Sequence, residues 1–237
     1  MIHYHGTPCN GKREDAARFL RGRHALIPWI SKRHINIASE VCQSFCLDNG
    51  AFTFWRKKKQ VSWPKYYEWV DLWRTHPGFD FAIIPDVIDG TEEENDTLLA
   101  EWPFGNCGVP VWHLHESLDR LFYLAVSYPR IALGSSGEFS RPGTAIWWTR
   151  MNEAMGTICV KNGKPLTKLH GLRMLDPRIF SRLPLSSADS SSASRNAAYT
   201  KKFGNYVPMH PSTRMHVIAE RVEAHNSAAT WSMSQCS

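Results

Sequence analysis

The feature that most constrains this chain is a set of short apolar runs that each end on polar residues. Three of them are Leu47-Asp48-Asn49-Gly50-Ala51-Phe52, Ile83-Ile84-Pro85-Asp86 and Leu133-Gly134-Ser135-Ser136-Gly137-Glu138, and a fourth reaches Asp189 inside Ser187 to Asn196. Each reads as a strand that stops in a loop carrying a carboxylate or a glycine-rich turn. Repeated strand ends of this kind are how an α/β barrel assembles a site, because its working residues come from the C-terminal ends of different strands. Four acidic residues placed this way point to carboxylate chemistry on an electrophilic carbon.

The segments between these runs complete an alternation. Short strands are expected at Ala25 to Pro28, His34 to Ile37, Ser44 to Asp48, Phe79 to Pro85, Val109 to Leu114, Arg130 to Leu133, Leu169 to Met174 and Leu185 to Ala188. Helices are expected from Trp63 to Arg74, with Pro64 in the first turn where its missing N–H matters least. Others follow from Thr91 to Trp102, where Thr91 precedes three glutamates as an N-cap should, and at Ser117–Val126, Thr144–Val160, Asp176–Leu183 and His210–His225. Strands alternating with helices argue a parallel sheet. Polar groups on several strand ends favour a single-domain (β/α)8, TIM-barrel-like fold over an open sheet. It is expected over residues 1–225, with 226–237 a frayed polar tail. A length of 237 residues suits that fold.

No apolar run approaches the roughly 20 residues of a membrane span, and Met1 to Gly6 holds no apolar signal core, so the expectation is a cytoplasmic protein without a membrane partner. The six cysteines are scattered and read as reduced thiols. Cys42 and Cys46 could share a helix face, but no second close pair accompanies them, so no metal site is expected.

Net charge is +6, and its distribution says more than its size. Arg56, Lys57, Lys58 and Lys59 form one run, Lys12 to Arg23 holds five basic residues, and Lys201-Lys202 follows the Asp189 segment. Phe52, Phe54 and Trp55 precede the first run; Trp63, Tyr66 and Tyr67 follow it. Basic side chains neutralise phosphates and aromatic rings stack on unpaired bases. A solvated loop leading into an amphipathic helix with core aromatics explains the same residues, and both readings stand.

These segments resemble a known family. Asp48-Asn49-Gly50-Ala51-Phe52 is similar to the Asp-Ser-Gly-Gly-Phe signature of the tRNA-guanine transglycosylases. Ala188 to Asn196 resembles that family's nucleophile segment, Phe-Asp-Cys-Val-Met-Pro-Thr-Arg-Asn, with the aspartate, arginine and asparagine matching without gaps. Pro85-Asp86 falls where the family has its base-recognising aspartate, and Gly134 to Glu138 resembles its Gly-Gly-Leu-x-x-Gly-Glu turn. Order and spacing agree from about residue 44 to 200. The family's Cys-x-Cys-x-x-Cys zinc group is missing and the chain is shorter. In both respects it is similar to the phage and bacterial branch that inserts 7-deazaguanines into DNA, which implies a (host) cytoplasmic location.

The resemblance implies base exchange, with DNA and a free 7-deazaguanine such as preQ0 as partners and tRNA as the alternative to DNA. The chemistry can be argued separately. Breaking an N-glycosidic bond passes through an oxocarbenium-like transition state, an aspartate can capture C1′, and an incoming base can then displace it, with no cofactor. Asp189 is the expected nucleophile. Asp86 suits the N1–H and amine edge of a guanine-like base, and Asp48 assists proton transfer or contacts the base. Gly134 and Ser135 would offer backbone N–H groups to a base carbonyl. His113 and His115, placed on one strand face by alternation, take the part of a family glutamine or hold a metal. Phe52 or Trp112 sandwiches the base, or both pack in the core. Arg195, with Lys201 and Lys202, would hold phosphates. Each aspartate has an ordinary alternative as a cap or turn residue. A nucleosidase or base-excising glycosylase would use the same carboxylates, and a non-catalytic nucleic-acid-binding barrel would use none.

Overall fold

The computed structural model describes residues 1–232. The strands are Ile2–Gly6 (β1), His24–Pro28 (β2), Ser44–Asp48 (β3), Phe79–Ile83 (β4), Gly108–Val109 (β5), Val111–His113 (β6), Arg130–Gly134 (β7), Lys168–Gly171 (β8) and Ser187–Ser190 (β9). The helices are Arg13–Leu20 (α1), Ile35–Val41 (α2), Ala51–Arg56 (α3), Trp63–Trp73 (α4), Glu92–Ala100 (α5), Leu118–Ser127 (α6), Ala145–Ile158 (α7), Pro177–Phe180 (α8), Ser192–Asn196 (α9) and Pro211–Glu223 (α10).

All strands are parallel, in the order β5-β4-β3-β2-β1-β9-β8-β7-β6. The two outermost members are consecutive in sequence and separated by Pro110 alone, so they are halves of one strand. Pro110 has no N–H for a ladder. Before it, Gly108 and Val109 pair with β4; after it, Val111 to His113 pair with β7. The Pro110 carbonyl accepts from Ala132 N at 2.8 Å. The sheet thus meets itself, and the TIM-barrel-like fold expected from the strand ends is the fold observed.

Strand alternation sorts the side chains. Phe45 and Leu47 of β3, Ala25 and Ile27 of β2, and Ile131 and Leu133 of β7 point outward and are buried under helices. One helix-covered cluster centres on Trp112, Trp147, Met151 and Phe180, the other on Phe19, Tyr66, Trp69 and Met215. Tyr4, Leu26, Cys46, Phe81 and Ala132 fill the barrel interior, beside buried His170. Below them, the N-terminal strand ends bring together His24, Ser44, Asp80 and Arg130. Asp80 Oδ2 accepts from Tyr4 Oη and lies 3.1 Å from Arg130 Nη1. Ser44 Oγ bonds His24 Nδ1 at 2.8 Å, and the Arg130 guanidinium covers the Phe81 ring at 4.4 Å.

Several local expectations are corrected. Residues 35–41 are helix, not strand: Ile35, Ile37 and Ala38 are buried together on one side of α2, and their burial overrides the strand preference of two isoleucines. Ile2–Gly6 is a strand that the chemistry-bearing runs did not reveal. Tyr66 is fully buried and donates to Ile83 O at 2.7 Å, and Trp63 and Tyr67 pack on the same cluster, so these aromatics belong to the core. Cys46 lies on β3 and Cys42 just beyond α2, so they share no helix face; the five described cysteines are free. Trp231 of the expected frayed tail packs on the core, and its backbone N–H donates to Gly163 O at 2.8 Å. Residues 233–237 of that tail, Cys236 included, lie outside the described residues. No described helix is long and apolar enough to cross a membrane.

Candidate active site

The C-terminal strand ends surround a cavity of about 740 Å³ lined by Asp48, Asp86 and Asp189. Asp48 ends β3, where the period-2 pattern through Ser44 and Cys46 turns it inward. Gly50 follows with φ +77°, a left-handed conformation suited to glycine, and opens α3. Asn49 ties this turn together. Its Oδ1 accepts from Ala51 N at 2.8 Å, and its Nδ2 donates to Ile84 O and to Asp86 Oδ1, both at 2.7 Å.

Asp86 is buried beyond the end of β4. Its second oxygen bonds His113 Nε2 at 2.9 Å. The buried His113 ends β6, and its backbone N–H donates to Glu116 Oε2 at 2.9 Å. Glu116 is in turn held by Arg120 at 3.2 Å and Asn95 at 2.9 Å. His113 Nδ1 is buried and has no hydrogen-bond partner. A side chain on Gly134 would put a Cβ 2.9 Å from that nitrogen, so the close approach of β7 to His113 needs glycine. Burial opposes protonation of His113. The hydrogen bond and charge of Asp86, with the charge of Glu116, outweigh it and raise the pKa above the ordinary imidazole value.

Asp189 projects from β9 into the same space. Its Oδ1 accepts from Arg173 N at 2.9 Å and lies 3.5 Å from His170 Nε2. Arg173 has φ +58°, a left-handed conformation that is strained for a residue with a Cβ. Its guanidinium lies 4.2 Å from the centre of the Phe52 ring, joining the loop after β8 to α3 over the cavity.

Asp48 carries the clearest electrostatic signature. Burial, reinforced by the neighbouring Asp189 and Asp86 carboxylates, pushes its carboxyl up to about 7, and a hydrogen bond from Gly50 N acts the other way. Among the described residues no lysine or arginine pairs with any of the three aspartates.

Asp189, Asp48, Asp86, His113, Gly134, Ser135 and Phe52 all line the cavity, as do Arg56, Lys57 and Arg195. Lys58, Lys59, Lys201 and Lys202 are exposed and do not line it. His115 also stays outside. The strand stops at His113, so alternation does not carry on to it. Instead His115 stacks on His113 at 5.6 Å and bonds Ser136 Oγ and Gly90 O. Ser135 Oγ accepts from Trp147 Nε1 at 3.0 Å. Among the described residues no cluster of three or more His, Cys, Asp or Glu is arranged to hold a metal.

Sequence reasoning missed Asn49 and Arg173. The first had a signal, since asparagine before glycine commonly makes a side-chain-closed turn. Nothing in Leu172-Arg173-Met174 marks a left-handed arginine. Comparisons with protein-family models, curated proteins and solved structures found no match to this chain.

Proposed function

We propose that this protein is a base-exchange transglycosylase that replaces guanine in DNA with a 7-deazaguanine through a covalent aspartyl-glycosyl intermediate. One observation carries the reading: Asp48, Asp86 and Asp189, from three different strand ends, face one cavity large enough for a base and its sugar. The choice of DNA over tRNA rests on the sequence resemblance.

The steps assign each carboxyl a part. Arg173 N occupies Asp189 Oδ1, whereas Oδ2 has no hydrogen-bond partner among the described residues and is the attacking atom. As Oδ2 bonds to C1′, the C1′–N9 bond breaks and its electron pair leaves with guanine. With its pKa pushed up to about 7, Asp48 holds a proton near neutral pH and delivers it to the leaving base. Asp48, now ionised, takes the N9 proton of the incoming base. N9 of that base then attacks C1′ and releases Asp189. Asp86, fixed by Asn49 and His113, accepts from the donor edge of either base. A duplex encloses the C1′ bond, so the nucleotide must be extruded or already unpaired.

The test uses DNA carrying radiolabelled guanine, single-stranded and duplex, incubated with preQ0 and either wild type or Asp189→Asn. Label loss with wild type alone, and deazaguanine recovered in the DNA, is the expected result. Exchange confined to tRNA would move the substrate assignment, and abasic DNA without base insertion would make the enzyme a glycosylase. Absence of all three would sink the enzymatic reading.

A further inference from the structure

We infer that an unpaired DNA strand docks over one half of the cavity mouth, across the loops that follow β9, β1, β2 and β3. The inference rests on the nucleic-acid substrate proposed above and adds the path and form of the bound strand.

The observation is a partition of charge around the mouth. Lys12 and Arg13 follow β1, and Lys32 and Arg33 follow β2; all four are exposed. These loops lie between the two basic groups on the cavity rim, Arg56-Lys57 beyond β3 and Arg195 beyond β9, because the strand order here is β3-β2-β1-β9. Basic groups therefore run without a gap across four adjacent loops. Against them stand Glu14 and Asp15 in the first turn of α1, and Asp15 is already bonded by the N–H groups of Lys12 and Ser212. The loop on the other side of β3 reverses the sign, whereas the loops after β7 and β8 are mixed, with Arg141, Arg173 and Arg178 against Glu138 and Asp176. The loop from β4 into α5 holds Asp89, Glu92, Glu93 and Glu94 and no lysine or arginine. A polyanion is drawn to the basic arc, and the acidic loop marks the β4 edge of that arc.

Exposed rings also occur along the basic arc, besides Phe122 and Tyr123 on α6. Trp55 is 47% exposed, Tyr199 61% and Tyr206 84%, all on segments of the basic arc. The segment bearing the two tyrosines is set beside α1 by the Ser212–Asp15 bond. Exposed rings interleaved with basic side chains suit stacking on unpaired bases, which a duplex does not offer.

The test is fluorescence anisotropy with a labelled oligonucleotide of about 15 nucleotides, single-stranded or duplex, across a salt series and without free base. The single strand is expected to bind about tenfold tighter or better, as stacking on one or more rings would give. Lys12→Gln with Arg13→Gln, and separately Lys57→Gln with Lys59→Gln, should each lower the slope of log K against log salt by about 1.4 for two lost contacts. Tyr199→Ala with Tyr206→Ala should weaken binding about tenfold and leave the slope unchanged. Asp89→Asn with Glu93→Gln should leave affinity within about twofold, since uncontacted surface charges matter little in salt. Equal affinity for duplex, slopes unmoved by both basic pairs, or an equal response to the acidic pair would overturn the inference. Because no exchange is read, binding as described without exchange would count against the proposed reaction alone. Exchange with unaltered binding by these variants would count against the docking path alone.

Discussion

At the N-terminal end of the barrel, Asp80 is enclosed by Arg130 and the Tyr4 hydroxyl. At the C-terminal end, Asp48 faces Asp86 and Asp189, and among the described residues no lysine or arginine pairs with any of them; Asp86 and Asp189 meet only histidines, His113 and His170. The same closed sheet holds both arrangements, with Ser44 and Asp48 at the two ends of one strand. The lower end arranges charge as a stable protein does, each group meeting its opposite. The upper end keeps like charges close, which opposes folding and, with burial, pushes the Asp48 carboxyl up to about 7. Paired and unpaired charge are thus divided along the barrel axis, the arrangement the proposed reaction would need where a site is strained relative to its scaffold.

Removing a partner at the lower end breaks the comparison most sharply. Asp80→Ala leaves Arg130, largely buried, without its counter-ion and should destabilise by about 3 kcal/mol in urea unfolding. An unchanged midpoint would show that the lower pair contributes nothing. The upper end should respond with the opposite sign. The Asp48 carboxyl has a raised pKa when folded, so between about 4 and 7 the folded state binds the extra proton and stability falls as pH rises. Asp48→Asn should therefore raise Tm at pH 8 by about 2–4 °C, or ~1 kcal/mol, with a smaller gain at pH 5. Exchange should fall in the same variant. A pH-independent gain would show that Asp48 does not titrate in this range. The smallest effect is at Arg173. Arg173→Gly keeps the N–H that holds Asp189 but relieves the left-handed strain, and chain entropy offsets most of the gain, leaving about 0.5 kcal/mol. Loss of the guanidinium over Phe52 should raise KM for the base, which steady-state exchange would detect.

The upper end was the more legible from sequence, because its message is local. An apolar run that halts on Asp48, Asp86 or Asp189 announces both a strand and where it stops. The lower end was illegible for the same reason: Asp80 and Arg130 are 50 residues apart, and neither sits in a pattern that names the other. β1 escaped because Ile2-His3-Tyr4-His5-Gly6 mixes polar and apolar residues, and its inward Tyr4 belongs to the polar network below. α2 was misread because Ile35 and Ile37 fit a short strand as well as a helix until packing decides. The basic run at Arg56 to Lys59 was seen, but that it shares a rim with Arg195 depends on strand order, which no local pattern carries. Arg173 marks the limit, since its conformation is imposed by the loop that it closes.

The interruption at Pro110 gives the barrel a seam. Seven strands pass their hydrogen bonds to both neighbours along their own length, whereas the eighth gives one half to β4 and the other to β7. The link there is a two-residue pairing on one side and a three-residue pairing on the other, no longer than the β8–β9 pairing but divided between two neighbours. His113, the partner of Asp86, ends that link, so an opening of the seam would move the wall against which a base would rest.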